Sequence, residues 1–378
     1  MGLLIRHRCF LQALATGLLA AFFCRWLDTP LPWLIGPLFA SAALRIAGVD
    51  LCCPVPARVA GQWAIGTVLG LYFTPAVLAV VAARAGYIAG AVVFALALGC
   101  LCAWLLKRLA DVSAATAFFS MALGGASEMA VQGERHGAVA QHVAAAQGLR
   151  LMFVVSFLPF VLRYWSGHGM PPLVGVGVDA AGRGGAGAVA GMSTGAAASM
   201  PGVPWTALPP GAVGALLAFG LLAAVTCAAG WLLWKRGVPN AWVLGPLLGA
   251  GMLAAAQVPV GSVPEWMVRT GQLCIGLSLG TRFTPGFLHT APRFMAAVAA
   301  CTVTALGLAA LFGLALAKIG GLHPATALLA TSPGGIAEMA LTARALHIEV
   351  PVVTAFHVCR MVVLVLAVGP AYRRLLRT

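Results

Sequence analysis

Two glutamates sit in matching apolar stretches of this chain, each three residues after a glycine pair. They read Gly124-Gly125-Ala126-Ser127-Glu128-Met129-Ala130 and Gly334-Gly335-Ile336-Ala337-Glu338-Met339-Ala340. An ionisable side chain inside an apolar run is costly unless it is paired or wetted, and so marks a functional position. Glycine lets the backbone leave helical geometry. Helix-end N–H and C=O groups are then freed as ligands for ions and polar solutes. The pattern predicts that Gly124, Gly125, Ser127 and Glu128 line a central cavity together with Gly334, Gly335 and Glu338. There the acids would hold a coupling proton or sodium ion, or donate to a polar solute. Arg150 follows Glu128 by 22 residues, and Arg360 follows Glu338 by the same 22. Two roles fit these arginines: counter-ions to the glutamates, or a clamp for an anion.

The repetition runs through most of the chain. Gly61-Gln62, Ile65-Gly66, Gly70 and Phe73-Thr74-Pro75 return as Gly271-Gln272, Ile275-Gly276, Gly280 and Phe283-Thr284-Pro285. Trp33, Gly36-Pro37-Leu38 return as Trp242, Gly245-Pro246-Leu247. Proline inside a helix frees a backbone carbonyl. Gly36, Pro37, Gly245 and Pro246 are therefore candidates for a second pair of helix breaks at the site, or for simple kinks or helix starts. Gln62 and Gln272 are intramembrane amides that need partners, either solute or a neighbouring helix. Gln147 becomes His357 in the second copy, which makes His357 a candidate proton relay.

These residues must be carried by membrane helices. With 61% hydrophobic and 8% charged residues, the chain is excluded from the class of soluble domains. At roughly 20 residues per crossing there is room for about ten to twelve spans. The expected architecture is an all-α polytopic bundle of two homologous repeats with interrupted helices or re-entrant hairpins. The first repeat covers residues 1–165 and the second 211–378, joined by a Gly/Pro/Ala-rich linker over 166–210. Inverted repeats are favoured over parallel ones, because Lys235-Arg236 and the Arg282/Arg293 pair then face the cytoplasm. The first apolar run reads as a repeat's opening helix rather than a signal peptide, since Gly17–Ala21 has the same sequence as Gly220–Ala224. Both termini are expected in the cytoplasm of a bacterium with the chain in its inner membrane.

The formal charge of +14 comes from basic residues scattered at the ends of apolar runs. That suits headgroup contacts and gives no nucleic-acid-binding module. The ten cysteines show no metal spacing and read as packing residues. No metal site, cofactor or catalytic residue is expected. The expected partners are a small-molecule solute, a coupling proton or sodium ion and the lipid bilayer, with a homo-oligomer compatible.

The duplicated Trp-x-x-Gly-Pro-Leu, Gly-Gln-x-x-x-Gly and Gly-Gly-x-x-Glu-Met set resembles the AbrB-type integral membrane proteins, a family also labelled ammonia monooxygenase. The resemblance covers both halves of the chain. It implies a duplicated membrane protein and assigns no residue a role. One family label implies regulation of gene expression, the other ammonia oxidation. The residues themselves favour a secondary transporter for a small polar or anionic solute, with its site between the repeats at the bilayer midplane. The alternatives are a membrane sensor that regulates without transport and, last, a monooxygenase-related subunit.

Overall fold

A computed structural model describes residues 2–123, 126–167, 212–238, 240–260, 263–283 and 292–375. Within these ranges the side chains of 2–7, 126–128, 131, 166–167, 212–213, 215 and 365–375 lie outside the description. The expected linker falls almost wholly outside it. The described residues form fifteen helices and no strand. In the first half these are α1 (Gly2–Trp26), α2 (Pro32–Ile46), α3 (Val55–Gly70), α4 (Pro75–Ala83), α5 (Ala85–Ala110), α6 (Ala114–Met121), α7 (Ala126–Arg135) and α8 (Ala140–Gly167). The second half supplies α9 (Ala212–Lys235), α10 (Ala241–Ala255), α11 (Glu265–Gly280), α12 (Pro292–Gly320), α13 (Pro324–Thr331), α14 (Ile336–Ala345) and α15 (Val350–Leu375). The protein is an all-helical membrane bundle. Five helices are long and apolar enough to cross a bilayer, and a sixth crossing follows if α3 and α4, bent by 85°, count as one. The apolar run over 58–83 is thus two helices rather than one.

The helices sort into two groups. One contains α1–α3 and α9–α11, the other α5–α8 and α12–α15. Within the first, α2 packs on α11 as α10 packs on α3, and α3 and α11 pack on each other. Within the second, α5 meets α12, α6 meets α8, and α13 meets α15. The two groups meet along a narrower seam, chiefly where α14 and α15 touch α3 and where α8 touches α2. That seam is apolar: Leu34, Ile65 and Leu69 from the first group join Val154, Leu329 and Leu341 from the second in one buried cluster.

Glycine sets the closeness of the first group. A Cβ on Gly276 would stand 2.5 Å from the Leu34 carbonyl oxygen, and one on Gly280 would stand 2.5 Å from that of Leu38. Gly66 and Gly70 press against the Val243 and Leu247 carbonyls in the same way, with the halves exchanged. Helices in a bilayer associate through such close approach of small residues.

Two expectations are corrected here. Pro37 and Pro246 lie inside continuous helices, α2 and α10, so the Gly-Pro pairs make no helix break. Each proline forfeits only the bond to the carbonyl four residues back, at Trp33 and Trp242. Gly36 and Gly245 serve packing instead: a Cβ on Gly36 would meet the Ala20 carbonyl oxygen at 2.6 Å, and Gly245 abuts the backbone of Ala229 and Gly230. This contact also resets the register of the opening helices. Ala20 and Ala21 correspond to Ala229 and Gly230, so the matching strings Gly17–Ala21 and Gly220–Ala224 are not equivalent positions.

Gly276→Ala should lower the melting temperature of the detergent-purified protein, at a cost of roughly 1–3 kcal/mol for forced overpacking. Gly90→Ala, where a Cβ meets nothing within 4 Å, should leave it unchanged or raise it slightly. Equal melting of the two variants would refute the close-packing account.

Candidate functional site

Each half contains a helix that stops and restarts at the stretch holding its glycine pair. The chain leaves α6 at Met121 and re-enters helix at Ala126; it leaves α13 at Thr331 and re-enters at Ile336. The exposed C-terminal carbonyls of α6 and α13 have no helical donor, and in an apolar layer each must find one. The donors come from the next helix. Gln147 on α8 donates its Nε2 to the carbonyls of Phe119 (2.9 Å), Ser120 (3.2 Å) and Ala122 (2.9 Å). Arg150 adds Nη1 to Ala122 at 3.0 Å and gives Nη2 to Gln147 Oε1 at 2.6 Å. On α15, His357 Nε2 meets the Leu329 carbonyl at 2.9 Å, and Arg360 reaches those of Ser332 and Gly334, each at 2.5 Å. A carbonyl only accepts, so His357 carries its proton on Nε2. The Gln147-to-His357 exchange is then physically simple. Both side chains donate to a carbonyl 28 residues upstream, and the Arg150–Ala122 and Arg360–Ser332 bonds span 28 as well.

Glu338 is not paired with Arg360; among the described residues no cation lies within ion-pair distance of it. It occupies the first turn of α14, after Gly335 as N-cap. Its carboxylate folds back so that Oε2 stands where a Cβ on Gly335 would go. That is the position from which an acid offsets the free N–H groups and positive end of a helix. Gly124 and Gly125, and the side chains of Ser127 and Glu128, lie outside the described residues.

Glu338 faces a cavity of about 300 Å³ at the seam between the two helix groups. Gln62, Arg150, Gly334 and Gly335 join it there, so residues singled out in both halves meet in one space. Gln272, His357 and Arg360 are not among the lining residues. Arg58 at the start of α3 and Arg282 just after α11 also line it. Neither makes a side-chain hydrogen bond or ion pair among the described residues, and the Nε atoms of Arg58 and Arg150 are buried without a partner. Arg282 and Glu338 act on each other electrostatically across the space. Three arginines and one glutamate thus line the same cavity, together with Trp234 and Trp242.

Arg58 and Arg282 escaped the sequence reading because they do not repeat. At the 210-residue offset their counterparts are Val268 and Tyr72. The signal that could have found them is the reverse of the one used: a charge in one copy where the other copy is apolar or neutral.

A family model described as "Transition state regulatory protein AbrB" matches residues 33–376. The chain belongs to the AbrB family. Its AbrB relatives include "Putative regulator AbrB" of Escherichia coli (strain K12), 26% identical over 349 residues, which cover 92% of this chain and 91% of the relative. "Uncharacterized protein YhjN" of Bacillus subtilis (strain 168) is 25% identical over 358 residues, covering 91% of this chain and 87% of that one. No solved structure matches.

In this AbrB-family chain the arginines divide by role in a way stability can report. Arg360→Leu strips two carbonyls of charged donors, each worth about 1.5–3 kcal/mol, and should lower the melting temperature strongly. Arg282→Leu removes a charge with no hydrogen-bond partner and should lower it little. Equal losses in the two variants would contradict the division.

Proposed function

We propose that this protein is a secondary transporter of a small anion, with the seam cavity as its binding site. The observation that carries the reading is the charge of the wall: Arg58, Arg150 and Arg282 against Glu338 alone. Like charges held together in a confined space are unfavourable until an anion joins them. The cavity volume of about 300 Å³ suits a small solute, since ligand pockets run from roughly 300 to 1,000 Å³. Glu338, with Glu128 as its repeat equivalent, is the candidate site for a coupling proton or sodium ion.

The position of the cavity supports transport. Apolar contacts lack direction, so the seam offers little resistance to one helix group shifting on the other. The ion pairs that cross it, Arg163 with Asp28 and Arg344 with Glu265 at 4.0 Å, are at least partly exposed, and exposed pairs are worth about 0–1 kcal/mol. The reciprocal packing of α2 on α11 and α10 on α3 suits two repeats related by a two-fold axis, and we retain the inverted arrangement with cytoplasmic termini in a bacterial inner membrane.

The name of the Escherichia coli relative, a regulator, favours a second reading, a sensor that binds the same anion without moving it. Accumulation of a solute against its gradient in proteoliposomes excludes a pure sensor. In a screen of small anions, Arg58→Gln and Arg282→Gln should each reduce uptake at least about tenfold, with the melting temperature largely kept. Unchanged uptake in both variants would remove the basis of the transport reading.

A further inference from the structure

We infer that Glu338 is a tethered stand-in for the solute, and that the solute is a small carboxylate with an apolar body. The inference rests on the reading of the cavity as an anion site. Glu338 lies in the cavity wall, turned back over Gly335, beside the free N–H groups that open α14. It feels the charge of Arg282 but is locked to no guanidinium. A carboxylate therefore already occupies the electropositive place, with no ion pair holding it among the described residues. Arg150, only 3% exposed, also lines the cavity, and its Nε is buried without a hydrogen-bond partner. Beyond the arginines the wall carries an apolar side, with Trp234, Trp242, Val243, Ile275 and Leu279, beside the polar Gln62, Asn240 and Ser278. Inorganic phosphate would satisfy the cations and leave that surface bare. An organic carboxylate satisfies both.

Glu338 is the only acid in the described wall of the cavity. The charged groups around it are Arg58 on α3, Arg150 on α8 and Arg282 after α11. On α15, Arg360 and His357 are committed to backbone carbonyls, and α13 carries no titratable side chain. A proton on Glu338 removes the competitor without disarming the arginines. Solute binding and proton uptake are then linked, each favouring the other.

The test is titration calorimetry on the full-length protein in detergent, with benzoate and benzenesulfonate as probes; the sulfonate stays ionised throughout, so its pH dependence belongs to the protein. Glu338→Gln should bind benzoate about tenfold more tightly than wild type at neutral pH. Wild-type affinity for benzenesulfonate should rise from mildly alkaline to mildly acidic solution, and that dependence should flatten in the variant. If the variant fails to fold, the wild-type pH series decides alone. Benzoate binding that is lost in Arg282→Gln but no tighter in Glu338→Gln overturns the stand-in and leaves the anion site intact. Binding of inorganic phosphate without benzoate overturns the carboxylate class only. If none of the three probes binds, both readings fall.

Discussion

The constraint on which this structure depends is that a broken helix in an apolar layer exposes carbonyls that no water can satisfy. Each half solves the problem with two side chains from the following helix, Gln147 and Arg150 in one and His357 and Arg360 in the other. Those residues fix how α8 sits on α6 and α15 on α13. They hold the breaks open as permanent features rather than strained ones. Without them the break would be an unpaid desolvation of several polar groups, and a continuous helix would be the better state. The restart of α14, and with it the position of Glu338, follows from this support.

The same constraint divides the charged residues into two kinds. The scaffold is duplicated, because both breaks need the same donors at the same spacing. The cavity is not. Arg58 from the first copy and Arg282 from the second each face it without a charged counterpart, their registers holding Val268 and Tyr72. A sequence that repeats therefore carries a cavity whose charges do not repeat in full. The wall thus combines recurring residues, Gln62, Arg150 and Glu338, with the non-recurring Arg58 and Arg282.

Much of the architecture was legible because it leaves periodic traces. The repeat offset, the apolar runs and the break at Gly334-Gly335 could all be read from the order of residues. Side-chain partnership could not. The equal spacing of Glu128 to Arg150 and Glu338 to Arg360 suggests ion pairs, yet Arg360 turns to Ser332 and Gly334 instead. Spacing along the chain says which helices carry two groups, not which way each side chain points across the gap. The Gly-Pro pairs misled for a related reason. A proline mid-helix costs one hydrogen bond, and close packing of Gly36 and Gly245 on the neighbouring helices can outweigh that loss, so α2 and α10 continue. The matching strings at Gly17 and Gly220 show that in a chain so rich in Leu and Ala a five-residue identity carries little positional information.

The separation of Glu338 from Arg360 has a simple electrostatic origin. A helix break brings together two ends of opposite polarity: the carbonyl end of α13, which favours cations, and the N–H end of α14, which favours anions. Arg360 serves the first end and Glu338 the second, so each acts on a backbone terminus before it can act on the other. The two ends are not held equally. The carbonyl end is blocked by short bonds from a buried guanidinium. The N–H end at Gly335 is covered only by a folded-back side chain that shares its space with a cavity. On the proposed anion reading, the N–H end of α14 is the terminus at which a solute would take the place of Glu338.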